Sequence, residues 1–187
     1  MVRAGWKYID GVEMITEIRL KELLDYDPET GVFTWKFREP VSRGNKNFNS
    51  RFGGKKAGNY RVNTDGHKSV QLLLDGKGYQ ANRLAILYVD GYLPDKTLQV
   101  DHKNGDGWDN RYLNLRVCTA SQNSCNRSRK SPSWLPKGVQ KISKRFRAMI
   151  RLQGKNYHLG MFDTPEEAHK AYCEAAIKLH GEFAKLS

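Results

Sequence analysis

Apolar residues recur along this chain with two periods. Leu20, Leu23 and Leu24 stand at i, i+3 and i+4 and predict a short amphipathic helix over 16–24. After the turn cluster Asp27-Pro28-Glu29-Thr30-Gly31 the spacing falls to two. Phe33, Trp35 and Phe37 share one face, which predicts a strand over 32–37. The segment 41–59, rich in Gly, Asn, Ser and Lys, reads as a loop. Asp65-Gly66 and Asp75-Gly76 then separate the runs 60–64, 67–74 and 77–80 into a meander of hairpins, since Asp-Gly tolerates the positive φ of tight turns. Asn82 is placed to cap a helix carrying Leu84, Leu87 and Tyr88.

Further along, Leu98 and Val100 lead into Asp101-His102, a loop runs to Asn110, and 115–117 forms a second short strand. Thr119 caps a helix that holds Asn123, Asn126 and Arg127. The breaker-rich stretch Ser131-Pro132-Ser133-Trp134-Leu135-Pro136 marks a boundary. Three candidate strands follow at 137–142, 146–152 and 155–161. Thr164, Pro165 and Glu167 then supply an N-cap, an N1 proline and a capping box for a helix whose apolar stripe is Ala168, Ala171, Tyr172, Ala175 and Leu179. The pattern gives an α+β chain: an N-terminal extension (1–15), a mixed β-hairpin region (16–95), a ββα core (96–130), a linker (131–136), and a three-stranded sheet with one helix (137–187).

Charge narrows the function. The 187 residues hold 32 Lys and Arg against 20 Asp and Glu, a net charge of +12, with mean hydropathy −0.72. No apolar run approaches the ~18 residues of a membrane span, and the first fifteen residues lack a signal-type apolar stretch. Three cysteines without a CxxC pair argue against a disulfide framework or a four-cysteine zinc site, and for a reducing, intracellular setting. From Arg111 to Phe162 there are 12 Lys or Arg and no carboxylate. From Lys36 to Arg61 eight basic residues face Glu39 alone. Short basic clusters are ordinary solvated faces, but fifty residues without an acid favour a polyanionic partner, nucleic acid foremost.

The densest polar stretch is VDHKNGDGWDNRYLNLRVCTASQNSCNR, residues 100–127. A carboxylate and an amide oxygen suit a hard divalent cation, and a neutral imidazole nearby can take a proton from water. Singly, Asn104, Asp109, Asn110 and Asn114 read as turn formers, and Asn123 and Asn126 as cap or surface residues. Together the stretch resembles the DH…N…N form of the HNH motif in phage-type homing endonucleases. The resemblance implies two strands and a helix around one metal, Mg²⁺ or alternatively Mn²⁺, with no zinc. Asp101 and Asn123 would bind it, His102 would be the general base, and Asn114 would orient the His102 ring. Asp109 and Asn110 would shape the loop, and Arg116, Asn126 and Arg127 would contact phosphate. Cys118 and Cys125 become small packing residues. Upstream, LLDYDPETGVFTW, the hairpins and NRLAILYVDGYLPD resemble the segment preceding that motif, either a DNA-holding platform or a plain scaffold.

The segment from Lys137 is similar to the Apetala2-type DNA-binding domain, through KGV, RAMIR, HLGMFDTPEEAHKAY and AAIKLHGEFAKL. That domain reads the major groove with its sheet. Period two puts Arg147, Met149 and Arg151 on one face. By position Lys137, Gln140, Lys144, Arg147, Arg151 and His158 would meet DNA. Gln140, Phe146 and His158 depart from the usual Arg or Trp, so base preference does not transfer. The resemblances imply a monomer that nicks double-stranded DNA at preferred sites, in bacterial cytoplasm if phage-encoded. The alternative is a catalytically silent DNA-binding regulator on the same scaffold.

Overall fold

A computed structural model of the chain describes residues 6–9, 12–125, 134–152, 154–184 and 186. The chain divides into two compact units, 1–117 and 118–187.

In the first unit, β1 (Trp6–Ile9) and β2 (Val12–Ile15) form an antiparallel hairpin. The Thr16 side chain accepts from the Arg19 N–H and starts α1 (Glu17–Leu23). Leu24, placed by its spacing in the helix, instead opens β3 (Leu24–Asp27), which pairs with β4 (Val32–Trp35) around the 28–31 turn. The segment read as a loop contains α2 (Arg43–Arg51), capped by Ser42. The meander is present as β5 (Asn59–Val62), β6 (Lys68–Leu74) and β7 (Lys77–Gln80), in that order in one sheet. Asp75 and Gly76 both have positive φ, 48° and 83°, as a two-residue hairpin turn requires.

α3 (Ala81–Asp90) follows directly and stops at Gly91. Its N-cap is Gln80, so Asn82 does not cap it; Asn82 lies in the first turn and donates to the Val100 carbonyl at 2.8 Å. Arg83 donates to the Leu98 and Pro94 carbonyls. These two side chains fasten β8 (Leu98–His102) to the helix. β8 pairs with β9 (Leu115–Thr119) after a 3₁₀ turn at Tyr112–Asn114. Leu20, Leu24, Phe33, Leu72, Leu74 and Leu84 are fully buried, and Val100 and Leu115 join their cluster. The β8–β9 pair is thus anchored on this core.

In the second unit, Thr119 and Gln122 cap α4 (Ala120–Cys125) reciprocally, backbone N–H to side-chain oxygen at 3.3 and 2.8 Å. The sheet order is β10 (Val139–Ile142), β11 (Arg145–Leu152), β12 (Lys155–Phe162). α5 (Pro165–His180) carries the expected capping box of Thr164 and Glu167. Ala168, Tyr172 and Ala176 pack against Val139, Ala148 and Ile150 with Leu159 and Phe162. The whole is a mixed α+β architecture of small sheets. Among the described residues no helix is long and apolar enough to cross a membrane.

Candidate active site

The end of β8 delivers Asp101 and His102 to a loop that folds on itself through its own polar side chains. The Asn104 carbonyl oxygen accepts from the Asp106 N–H, and the Asp106 carboxylate from the Trp108 N–H, two successive Asx turns. A Cβ on Gly107 would stand 1.9 Å from the Lys68 carbonyl oxygen, so the loop lies directly on β6. Trp108 closes over this contact, its indole donating to the Arg61 carbonyl with the Lys68 ammonium 4.6 Å from its ring. Arg111 grips Asp109 with two bonds of 2.8 and 2.6 Å, holding that carboxyl at about 2.

The β3–β4 hairpin braces the loop. Tyr26 donates its buried hydroxyl to the Asn110 carbonyl at 2.7 Å, and the Tyr112 N–H donates to the Pro28 carbonyl. Gly31 touches the 110–111 backbone so closely that a Cβ would lie 2.3–2.9 Å from it. This hairpin is part of how the site is built.

Within this frame, His102 Nε2 lies 3.2 Å from Asn110 Oδ1. Asn110 is buried, and its NH₂ group donates to the Trp108 carbonyl, so its oxygen must face the ring. The ring nitrogen there carries the proton, which leaves Nδ1 as the basic atom. Burial pushes the imidazole below its ordinary range, against the opposing pull of the Asn110 bond and of Asp101, Asp109 and Asp106. The side chain is therefore neutral at neutral pH.

Asn114 sits elsewhere than the sequence reading puts it. Its NH₂ group donates to Asn104 Oδ1 and to the Asp109 carbonyl, and its oxygen accepts from the Asn104 N–H. It latches the loop, while Asn110 holds the ring. Asn104, Asn110 and Asn114 all stand within a dozen residues, and one-dimensional spacing does not choose between them.

Asp101 is 7% exposed. Its Oδ2 accepts from Arg116 Nε at 3.0 Å and Nη2 at 2.8 Å, so the arginine read as a phosphate contact is here the partner of the metal-ligand candidate. Arg116 also lines a cleft of about 360 Å³ with Lys103, Tyr112 and Asp90. Arg116 already supplies the cation that this buried carboxylate needs, so Asp101 fits a hard metal by its oxygen donors alone. Among the described residues no three His, Cys, Asp or Glu side chains gather into a ready metal cluster. Asn123 is half-buried on α4, in the second unit. Asn126 and Arg127 lie outside the described residues.

In the second unit, Gln140 and Arg147 are cross-strand partners joined by a 2.5 Å hydrogen bond. A bulge after Ala148 sets Met149 opposite His158 rather than Leu159, so His158 joins the face of Arg147 and Arg151 while Leu159 packs under α5. Lys144 occupies the turn after Ser143, whose φ is 54°. Lys137 precedes β10, its carbonyl 2.9 Å from His169 Nδ1. Cys118 is buried, and the side chain of Cys125 lies outside what is described.

Residues 79–125 match the family model described as HNH endonuclease. An uncharacterized HNH endonuclease of Acanthamoeba polyphaga mimivirus is 35% identical over 99 residues, 52% of this chain and 51% of that protein. The chain thus spans about half the length of the curated relative it matches. A solved structure of the HNH homing endonuclease I-HmuI, described for its DNA binding and cleavage, aligns over 94% of this chain and 90% of that one. Identity there is 22% and the TM-score 0.38.

Proposed function

We propose that this chain is a metal-dependent, site-preferring DNA endonuclease of homing type that hydrolyses phosphodiester bonds with His102 as general base. The observation that carries the reading is the imidazole of His102, anchored on Asn110 next to the buried carboxylate of Asp101, inside the segment matched by the HNH endonuclease family.

In this reading Nδ1 of His102 takes a proton from water as the water oxygen bonds to phosphorus. The bond from phosphorus to the 3′ oxygen breaks, and that oxygen takes a proton from solvent. The products are a 5′-phosphate and a 3′-hydroxyl. Asn110 occupies Nε2, which assigns the base to Nδ1, and Asn114 latches the loop through Asn104 and Asp109. Asp101 and Asn123 would hold the metal, Mg²⁺ or Mn²⁺, which supplies charge stabilisation at the scissile phosphate. A carboxylate and an amide leave most positions to water, as Mg²⁺ prefers.

The second unit serves as reader. Its three-stranded sheet backed by one helix supports the likeness to the Apetala2-type domain, with Gln140, Arg147, Arg151 and His158 on the open face and Lys137 and Lys144 at its edge. Arg116, Asn126 and Arg127 remain candidate phosphate contacts. One active site per chain favours nicking by a monomer, and the substrate places the protein inside a cell.

The test is sequencing-mapped strand breaks on genomic DNA with Mg²⁺, parent against His102→Ala. Discrete breaks from the parent alone support the reading. DNA bound by both proteins and cut by neither moves the assignment to a DNA-binding regulator.

A further inference from the structure

α2 is nine residues long and buries no side chain. A helix of that length does not persist in water without support. Its support is polar and lies on one side. The Asn45 amide donates to the Glu39 carbonyl at 2.7 Å. Asn49 bridges the Arg38 backbone, accepting from its N–H at 2.8 Å and donating to its carbonyl at 2.6 Å. Phe48 stands edge-on to Trp35, with the Arg38 guanidinium 3.6 Å from its ring centre.

The other side is bare. Arg43, Lys46, Asn47 and Ser50 recur at i, i+3, i+4 and i+7, so they form one stripe, and all four are exposed. Among the described residues none of the four makes a side-chain hydrogen bond or ion pair. α2 holds no acid, and Glu39 is the single carboxylate from Lys36 to Arg61. A helix pinned from behind by polar side chains, showing cations interleaved with an amide and a hydroxyl, is built to present that face to an anion. Duplex DNA offers a negative charge every ~1.7 Å and a major groove ~12 Å wide, the diameter of a helix with its side chains.

We infer that the stripe Arg43, Lys46, Asn47, Ser50 of α2 docks on duplex DNA, with Arg43 and Lys46 on phosphates. The inference rests on the DNA endonuclease reading. It adds a grip supplied by neither the 101–123 motif nor the C-terminal sheet.

The test uses the full chain without metal and a mixed-sequence DNA duplex of about thirty base pairs. Binding is followed by fluorescence anisotropy between 50 and 200 mM salt. Arg43→Gln/Lys46→Gln keeps side-chain length and helix propensity. Lys170→Gln/Lys178→Gln, on exposed positions of α5, removes the same charge elsewhere. Loss of two phosphate contacts lowers the slope of log K against log salt by about 1.8 and affinity at least tenfold, while the α5 pair changes the slope little. Arg43→Lys/Lys46→Arg restores binding, which separates lost contacts from a damaged helix. If the α2 pair binds as the α5 pair does, the inference is overturned and the nuclease reading stands. A parent that binds no duplex overturns both.

Discussion

At the residue scale the candidate chemistry depends on which group holds the His102 ring. Burial lowers the ring's proton affinity and the Asn110 bond opposes it, so Asn110→Ala moves the titration further below the ordinary histidine range. The proton on the basic nitrogen is then lost even more readily, and protonation does not explain any loss of rate. We expect Asn110→Ala to cut DNA at least tenfold more slowly, with the deficit persisting at high pH, because what is lost is orientation. A deficit that disappeared at high pH would mean that the variant's ring is protonated more readily than the parent's, the opposite of this direction, and would overturn the orienting role. The depressed ring also links to stability: the unfolded chain titrates near ~6.5, so stability falls as pH drops below that value toward the folded ring's own titration. Gly31 is the second residue on which the site turns. Its φ of 72° and its contact with the 110–111 backbone leave no room for a methyl group. Gly31→Ala should cost about 2–5 kcal/mol by denaturant titration, combining left-handed strain with overpacking. An unchanged midpoint would show that the hairpin and the loop part easily.

At the scale of elements, the sequence was legible wherever one signal acted alone. Asp65-Gly66 and Asp75-Gly76 set the meander, and Thr164-Pro165-Glu166-Glu167 marked the start of α5 to the residue. Where two signals competed, local reading misplaced the element. Leu24 fits the helical period of Leu20, but pairing with Trp35 draws it into β3. Asn82 is a good cap by type, yet its amide goes to the Val100 carbonyl, a tertiary contact no local rule contains. α2 escaped notice because its Gly, Asn and Ser content is that of a loop, and the bonds that hold it come from Arg38 and Glu39 outside the helix. The same limit hid the role of Asn110 and the pairing of Arg116 with Asp101, which require the fold of the 104–110 loop. The capping box, by contrast, is local in origin and should be local in effect. Thr164→Ala is expected to lower stability by about 1 kcal/mol, read as a shift of the thermal transition, with cleavage at a fixed site preserved at low temperature.

At the scale of the molecule, the proposed reading puts chemistry and recognition in different stretches of the chain, and charge would join them to one substrate. The candidate base and carboxylate belong to a stretch near neutrality, residues 101–127, with four basic and three acidic side chains. The sheet-and-helix unit that follows carries most of the later excess, with 12 basic against five acidic residues from 128 to 187. If that division is functional, the reading face can be weakened without touching the reaction. Arg147 and Arg151 alternate on the open face of β11, and the bulge brings His158 level with them. Arg147→Ala/Arg151→Ala should therefore flatten the distribution of mapped breaks. Each guanidinium that reads a guanine is worth ~1–3 kcal/mol of discrimination, so two of them give preferred sites an advantage of at least tenfold. Total nicking at saturating enzyme and low salt should fall far less, because His102 and Asp101 are unaltered. The measurement is the ratio of breaks at the parent's strongest sites to breaks elsewhere, taken from the same sequencing libraries. A variant that keeps the parent's sites while cutting each more slowly would mean that the sheet supplies affinity only, and site preference would then have to be sought in the first unit.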